Sequence, residues 1–137
     1  MSGMTSPSYN QDFLVDTIGL TLEFLSDILL DIQTIGEFNP EREFFWNRKV
    51  SKLTQDIGQF VELTTLLSKT IMARKQQTIK GIKESHIHLL FILKAMNQAQ
   101  TKQDLVALEE LIKYELKDNL TQWKIDLIPQ TKKLLNT

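Results

Sequence analysis

From Asp12 to Ile35 the apolar positions Leu14, Ile18, Thr21, Leu25, Ile28, Ile32 and Ile35 step alternately by four and three, which lines one side of a helix. Leu22 and Leu29 widen that stripe, while Asp16, Glu23, Asp27 and Asp31 fall mostly on the opposite side. The pattern predicts an amphipathic helix that stops at Gly36. Asn39 and Pro40 then read as an N-cap and a first helical residue, with Glu41 and Glu43 suited to the positive end of a helix dipole. Behind them Trp46, Val50, Leu53, Ile57, Phe60, Thr64, Leu67 and Ile71 keep the four-three alternation. Gly58 weakens such a helix by about 1 kcal/mol relative to alanine without shifting its phase, so one long helix is expected.

Residues 73–84 are polar, hold four basic residues and include Gly81, which marks a connection. Ile79, Ile82, His86, Leu89, Leu93 and Met96 keep helical phase, so a third helix starts before Gly81 or at Ser85, a plausible N-cap, and ends near Ala99. Thr101 with Asp104 resembles a capping box, and Leu105, Leu108, Ile112, Leu116, Leu120, Trp123 and Leu127 follow at helical spacing. Pro129 is expected to end or kink this fourth helix near Leu127, and Lys132 and Lys133 suit a helical C-terminus. Period-two alternation is missing. The expected fold is all-α, an antiparallel up-down-up-down four-helix bundle with long helices at 10–137, preceded by a flexible tail at 1–9.

Composition narrows the class. A chain of 137 residues that is 42% hydrophobic and 24% charged suits one globular domain. It has no cysteine, hence no disulfide or thiolate chemistry, and its longest apolar run, Leu89 to Leu93, is far too short to span a membrane. A cytoplasmic location without membrane association is expected.

Charge is distributed unevenly. Residues 1–41 hold seven acids and no lysine or arginine; residues 42–102 hold eleven basic residues and four acids, so a local −7 faces a local +7. Placed on neighbouring helices, these segments should compensate each other within the molecule.

The chain offers little chemistry. His86 and His88 point about 200° apart on a helix and cannot share a metal; Lys83 and Ser85, three residues before them, rule out the Glu-x-x-His pattern of di-metal bundles. Glu109, Glu110, Glu115 and Asp118 read as a solvated face, with Glu109 four residues before Lys113 as an ordinary surface pair. The five glycines are scattered, so no phosphate loop is expected. No catalytic residue, cofactor, metal or small-molecule substrate is inferred. Arg42, Arg48, Lys49 and Lys52 gather near the start of the second helix, and Lys69, Arg74, Lys75, Lys80 and Lys83 around the following connection. The second group is the candidate anion contact of a nucleic-acid reading. Phe44, Phe45 and Trp46 span about 200° of a helix and cannot all face one core. Phe13, Leu20, Phe24 and Leu30 also lie off the main stripe, which leaves two readings: apolar surface beyond what one bundle hides, or a wide core contact for the first two helices.

Residues 88–129 resemble the C-terminal part of small, uncharacterised all-helical proteins of low-GC Gram-positive bacteria. The match rests on Ala99, Gln100, Asp104, the Tyr114-Glu115-Leu116 element and Trp123. It departs at Lys117 and Asp118, where a residue leading into proline is expected. The resemblance implies a bacterial helical bundle and brings no active site. The function expected is therefore non-enzymatic: protein binding as a homodimer, adaptor or chaperone, with Phe13, Phe24, Phe44 and Phe45 as contacts. The alternative is nucleic-acid binding through the basic region 69–83.

Overall fold

The computed structural model describes residues 7–36, 43–77 and 79–136, and for residues 7–10, 36 and 43–46 the backbone alone. It is all-α, with four helical elements and, among the described residues, no strand. They are α1 (Pro7–Gly36), α2 (Glu43–Lys75), α3 (Ile82–Thr101) and α4 (105–135).

Helix α1 takes in residues 7–9, which the sequence reading assigns to a tail, and starts on a proline whose missing N–H falls among donors that a helix start leaves unpaired. Its whole predicted stripe, Leu14 to Ile35, is buried, and it ends at Gly36 as expected. Thr21 fits inside this apolar stripe because its hydroxyl donates to the Thr17 carbonyl at 2.7 Å. In α2 every stripe position from Val50 to Ile71 is buried, with Thr64 donating to the Phe60 carbonyl in the same manner. Gly58 leaves α2 continuous. The expected Asn39–Pro40 start and the side chains of Phe44, Phe45 and Trp46 lie outside the described residues.

The connection after α2 turns on two left-handed residues, Gln76 at φ 54° and Gly81 at φ 97°. Gly81 is the N-cap of α3, so neither an earlier start nor one at Ser85 holds. Only glycine takes that φ without strain. Within α3 the buried side is Ile82, Leu89, Ile92, Met96 and Ala99; Ile92, not Leu93, occupies the core position between Leu89 and Met96.

The Thr101–Asp104 box does not form. Helix α3 runs through Thr101, whose hydroxyl bonds back to the Asn97 carbonyl at 2.9 Å, and Gln103 (φ 56°) makes the turn. Asp104 is itself the N-cap of α4, accepting the Ala107 N–H at 3.1 Å.

Helix α4 is not uniform. Two π-helical stretches, Leu111–Leu116 and Trp123–Leu127, interrupt its α-helical parts. Pro129 does not end it: the helix continues to Leu135, with Pro129 in the turn that follows the second π stretch. A widened turn relieves the clash between the proline ring and the preceding carbonyls. Leu108, Ile112, Leu116, Leu120, Trp123, Leu127, Ile128 and Leu135 join one core with the stripes of the other helices.

Cross-helix contacts fix the neighbours. Asp31, late in α1, meets Lys52, early in α2, at 3.4 Å. Thr64 of α2 meets His86 of α3, and Asn119 of α4 meets Ser85 of α3. Helix α1 also packs along α4. Charge compensation within the molecule is limited. The ion pair seen between the acidic α1 and the basic α2 is Asp31–Lys52, and among the described residues Asp12, Asp16, Glu23 and Asp27 are exposed without an ion pair.

Candidate functional site

Between α2 and α3 runs an open groove of about 640 Å³. Helix α2 contributes Thr65, Ser68 and Lys69, one side of a single turn, and α3 contributes Lys83, His86, Ile87 and Leu90 at spacings of three and four. The left-handed Gly81 carries Lys80 onto the same rim. Its charged lining is Lys69, Lys80 and Lys83 against one carboxylate, Glu84. Ile87, Leu90 and the adjacent Phe91 are 58%, 52% and 66% exposed, so three large apolar side chains of one turn of α3 face solvent. Leu66, on α2, is exposed as well.

A second groove, about 790 Å³, lies between α1 and α4. Val15, Leu20, Leu22 and Pro129 supply its apolar part, and its charged residues are Asp16, Glu23 and Lys132. The two grooves differ in sign: three lysines and one acid in the first, two acids and one lysine in the second.

The interior holds a polar cluster where all four helices meet. Trp123 packs edge-on against Phe60, ring centroids 5.4 Å apart at 88°, and His86 lies against Trp123 at 5.0 Å. His86 Nε2 is 2.7 Å from the Thr64 hydroxyl. Beside them is a cavity of about 20 Å³ lined in part by Thr21, Thr64, Thr131 and Trp123. Its size suits a single water, and the three threonine hydroxyls, which donate to backbone carbonyls, keep lone pairs for accepting. Trp123 Nε1 has no protein acceptor, and neither has Asn119 Oδ1 a donor, among the described residues. Asn119 Nδ2 lies 3.3 Å from the Ser85 carbonyl and 3.2 Å from His88 Nδ1. His86 and His88 thus face different partners, and no group of three or more potential ligands converges among the described residues.

Burial pushes the His86 imidazole below its ordinary value. In the unfolded chain that ring takes up a proton near pH 6.5 while in the folded one it resists, so folding loses stability as pH falls from about 6.5 toward the folded value. The melting temperature should drop between pH 7.5 and 5.5, and His86→Gln should show a shallower drop over that window, read by thermal circular dichroism. Equal slopes in the two proteins would refute the assignment to His86.

The sequence candidates scatter. Phe13 is exposed on α1, and Phe24 is half-buried against the core. The Phe44 and Phe45 side chains lie outside the described residues. Lys69, Lys80 and Lys83 come together on the groove between α2 and α3, whereas Arg74 and Lys75, both half-buried, do not line it. Glu109 and Lys113 pair at 3.0 Å. The residues missed are Leu66, Ile87, Leu90 and Phe91. For Ile87, Leu90 and Phe91 the signal is the run Ile87 to Leu93, apolar except for His88, which passes all round α3, more than a one-sided core contact uses.

No helix among the described residues is long and apolar enough to cross a membrane. No family model, curated protein or solved structure matches the chain.

Proposed function

We propose that this is a non-enzymatic helical-bundle protein that works by binding protein, and that it docks its partner in the groove between α2 and α3. The observation that carries this reading is the exposed turn Ile87, Leu90 and Phe91 beside a groove rimmed by Lys69, Lys80 and Lys83. An apolar strip with charged edges is what a helix-in-groove interface offers: burial supplies affinity and the rim sets orientation. The groove is lined by Ile79, Ile82, Ile87 and Leu90, and its one ring, His86, is held against Trp123 and the Thr64 hydroxyl, which favours a protein over a nucleic acid. We read the helices as an antiparallel up-down-up-down bundle, supported by the pairs Asp31–Lys52, Thr64–His86 and Ser85–Asn119, and the protein as cytoplasmic, in keeping with a chain without cysteine.

A photo-crosslinking residue placed at Phe91 in the cells that make the protein tests the docking surface. One dominant protein adduct, lost when Lys80→Glu and Lys83→Glu are added, is the expected result. A protein that stays free of adducts, or an adduct indifferent to those charge reversals, would sink the assignment.

A further inference from the structure

We propose that the occupant of the groove between α2 and α3 is a second copy of this chain, seated through the face between its α1 and α4. The proposal rests on the reading that the first groove docks protein, and names the partner. Both halves of the contact are present in one molecule. The groove between α2 and α3 has lysines at 69, 80 and 83 around the exposed Ile87 and Leu90. The face between α1 and α4 has carboxylates at Asp16 and Glu23 around Leu20, which is 63% exposed.

The same outer side of α1 carries Asp12 and Asp27, exposed and without an ion pair among the described residues, so its acidic character extends beyond the groove. These acids lie at positions 12, 16, 23 and 27, spacings of four, seven and four that line one side of a helix. The lysines they would meet likewise remain mostly uncommitted: Lys69, Lys80 and Lys83 make no ion pair among the described residues. An acidic helix face with a projecting leucine thus fits a lysine-rimmed apolar groove in both charge and hydrophobicity. Charge selects the orientation, since a groove-to-groove contact would set lysines against lysines and a contact between two α1 faces would set acids against acids.

The two surfaces draw on different helix pairs, so one copy can use both at once. The association is therefore heterologous, and it extends beyond two copies instead of closing on a twofold axis. Its strength depends on salt, because the charged rims are exposed and are screened beyond a Debye length of about 8 Å at physiological ionic strength.

Sedimentation velocity over a range of protein concentrations provides the test. At low salt the weight-average mass should rise from the 15.9 kDa of one chain and pass the dimer, and added salt should reverse the rise. Two variants sharpen it, each changing exposed residues alone. One carries Lys80→Glu and Lys83→Glu and has acid on both surfaces; the other carries Asp16→Lys and Glu23→Lys and has base on both. Each alone should stay monomeric with an unchanged helical spectrum, and an equimolar mixture should associate again, because every acidic surface then meets a basic one. A parent protein that is monomeric throughout at low salt would overturn the inference, as would association that persists in either variant alone. If the chain is monomeric while crosslinking at position 91 captures a different protein in a manner sensitive to Lys80→Glu and Lys83→Glu, the docking surface stands and self-association falls. If the position yields no adduct of either kind, both readings fall.

Discussion

Trp123→Ala should destabilise the fold by about 3–5 kcal/mol, the range for truncating a large buried aromatic side chain, which is a large share of the roughly 5–15 kcal/mol that holds a domain together. The size of the effect follows from the position of the ring. Trp123 is 2% exposed and touches Phe60 of α2 and His86 of α3, and it shares a cavity lining with Thr21 of α1. Its loss opens a void where four helices meet, and a site bounded by four elements has little freedom to collapse. Trp123→Phe should cost much less than the alanine variant, since it keeps most of the ring and gives up an N–H that has no acceptor among the described residues. Chemical denaturation followed by circular dichroism measures both. A phenylalanine variant as damaged as the alanine one would mean that Nε1 is engaged after all. In the alanine variant His86 should also titrate closer to its ordinary value, because part of what desolvates it has gone.

This fold is legible in the sequence where spacing alone decides, and not where backbone geometry or helix pairing does. In α1 and α2 the buried positions alternate by four and three, close to the α-helical 3.6, so the stripe stays on one side and the prediction transfers to the structure. In α4 the buried residues Leu108, Ile112, Leu116 and Leu120 are spaced by four three times in succession. At about 100° per residue each such step overshoots a turn by about 40°, so a regular α-helix would carry Leu120 about 120° away from Leu108. The π stretch at Leu111–Leu116 takes up that excess, and the second one serves the spacing of Trp123, Leu127, Thr131 and Leu135 in the same way. The signal is in the sequence, as repeated fours without a three. Pro129 was legible as a breaker but not as a residue that a preceding π turn accommodates. The Thr101 hydroxyl was equally ambiguous, since bonding back to Asn97 competes with capping the next helix. The grooves lie further out of reach. Lys69 and Lys83 are fourteen positions apart, and the connection with its left-handed residues Gln76 and Gly81 sets them and Lys80 around one floor.

Single-residue deletions in α4 and α2 should have opposite outcomes. Removing Glu115, an exposed residue inside the first π stretch, turns the spacing of Leu108, Ile112, Leu116 and Leu120 from four-four-four into four-three-four. That is α-helical phase, so the widened turn can close to an ordinary one while the residues after it keep their places in the core. The deletion should leave the protein folded, with a stability change of about 1 kcal/mol, well within the range of ordinary point substitutions. Removing Glu62, an exposed residue of α2, has no such remedy. The spacing of Ile57, Phe60, Thr64 and Leu67 becomes three-three-three, and the rest of α2 turns by about 100°, taking Thr64, Leu67 and Ile71 out of the core. That loss of several buried side chains exceeds what a domain of ordinary stability tolerates, and cooperative unfolding should disappear. Thermal and denaturant melts of the two deletions, each lacking one exposed glutamate, compare directly. Similar damage from both would show that the π turns are not the register correction inferred for them, and a folded Glu62 deletion would put the phase of the α2 stripe in question.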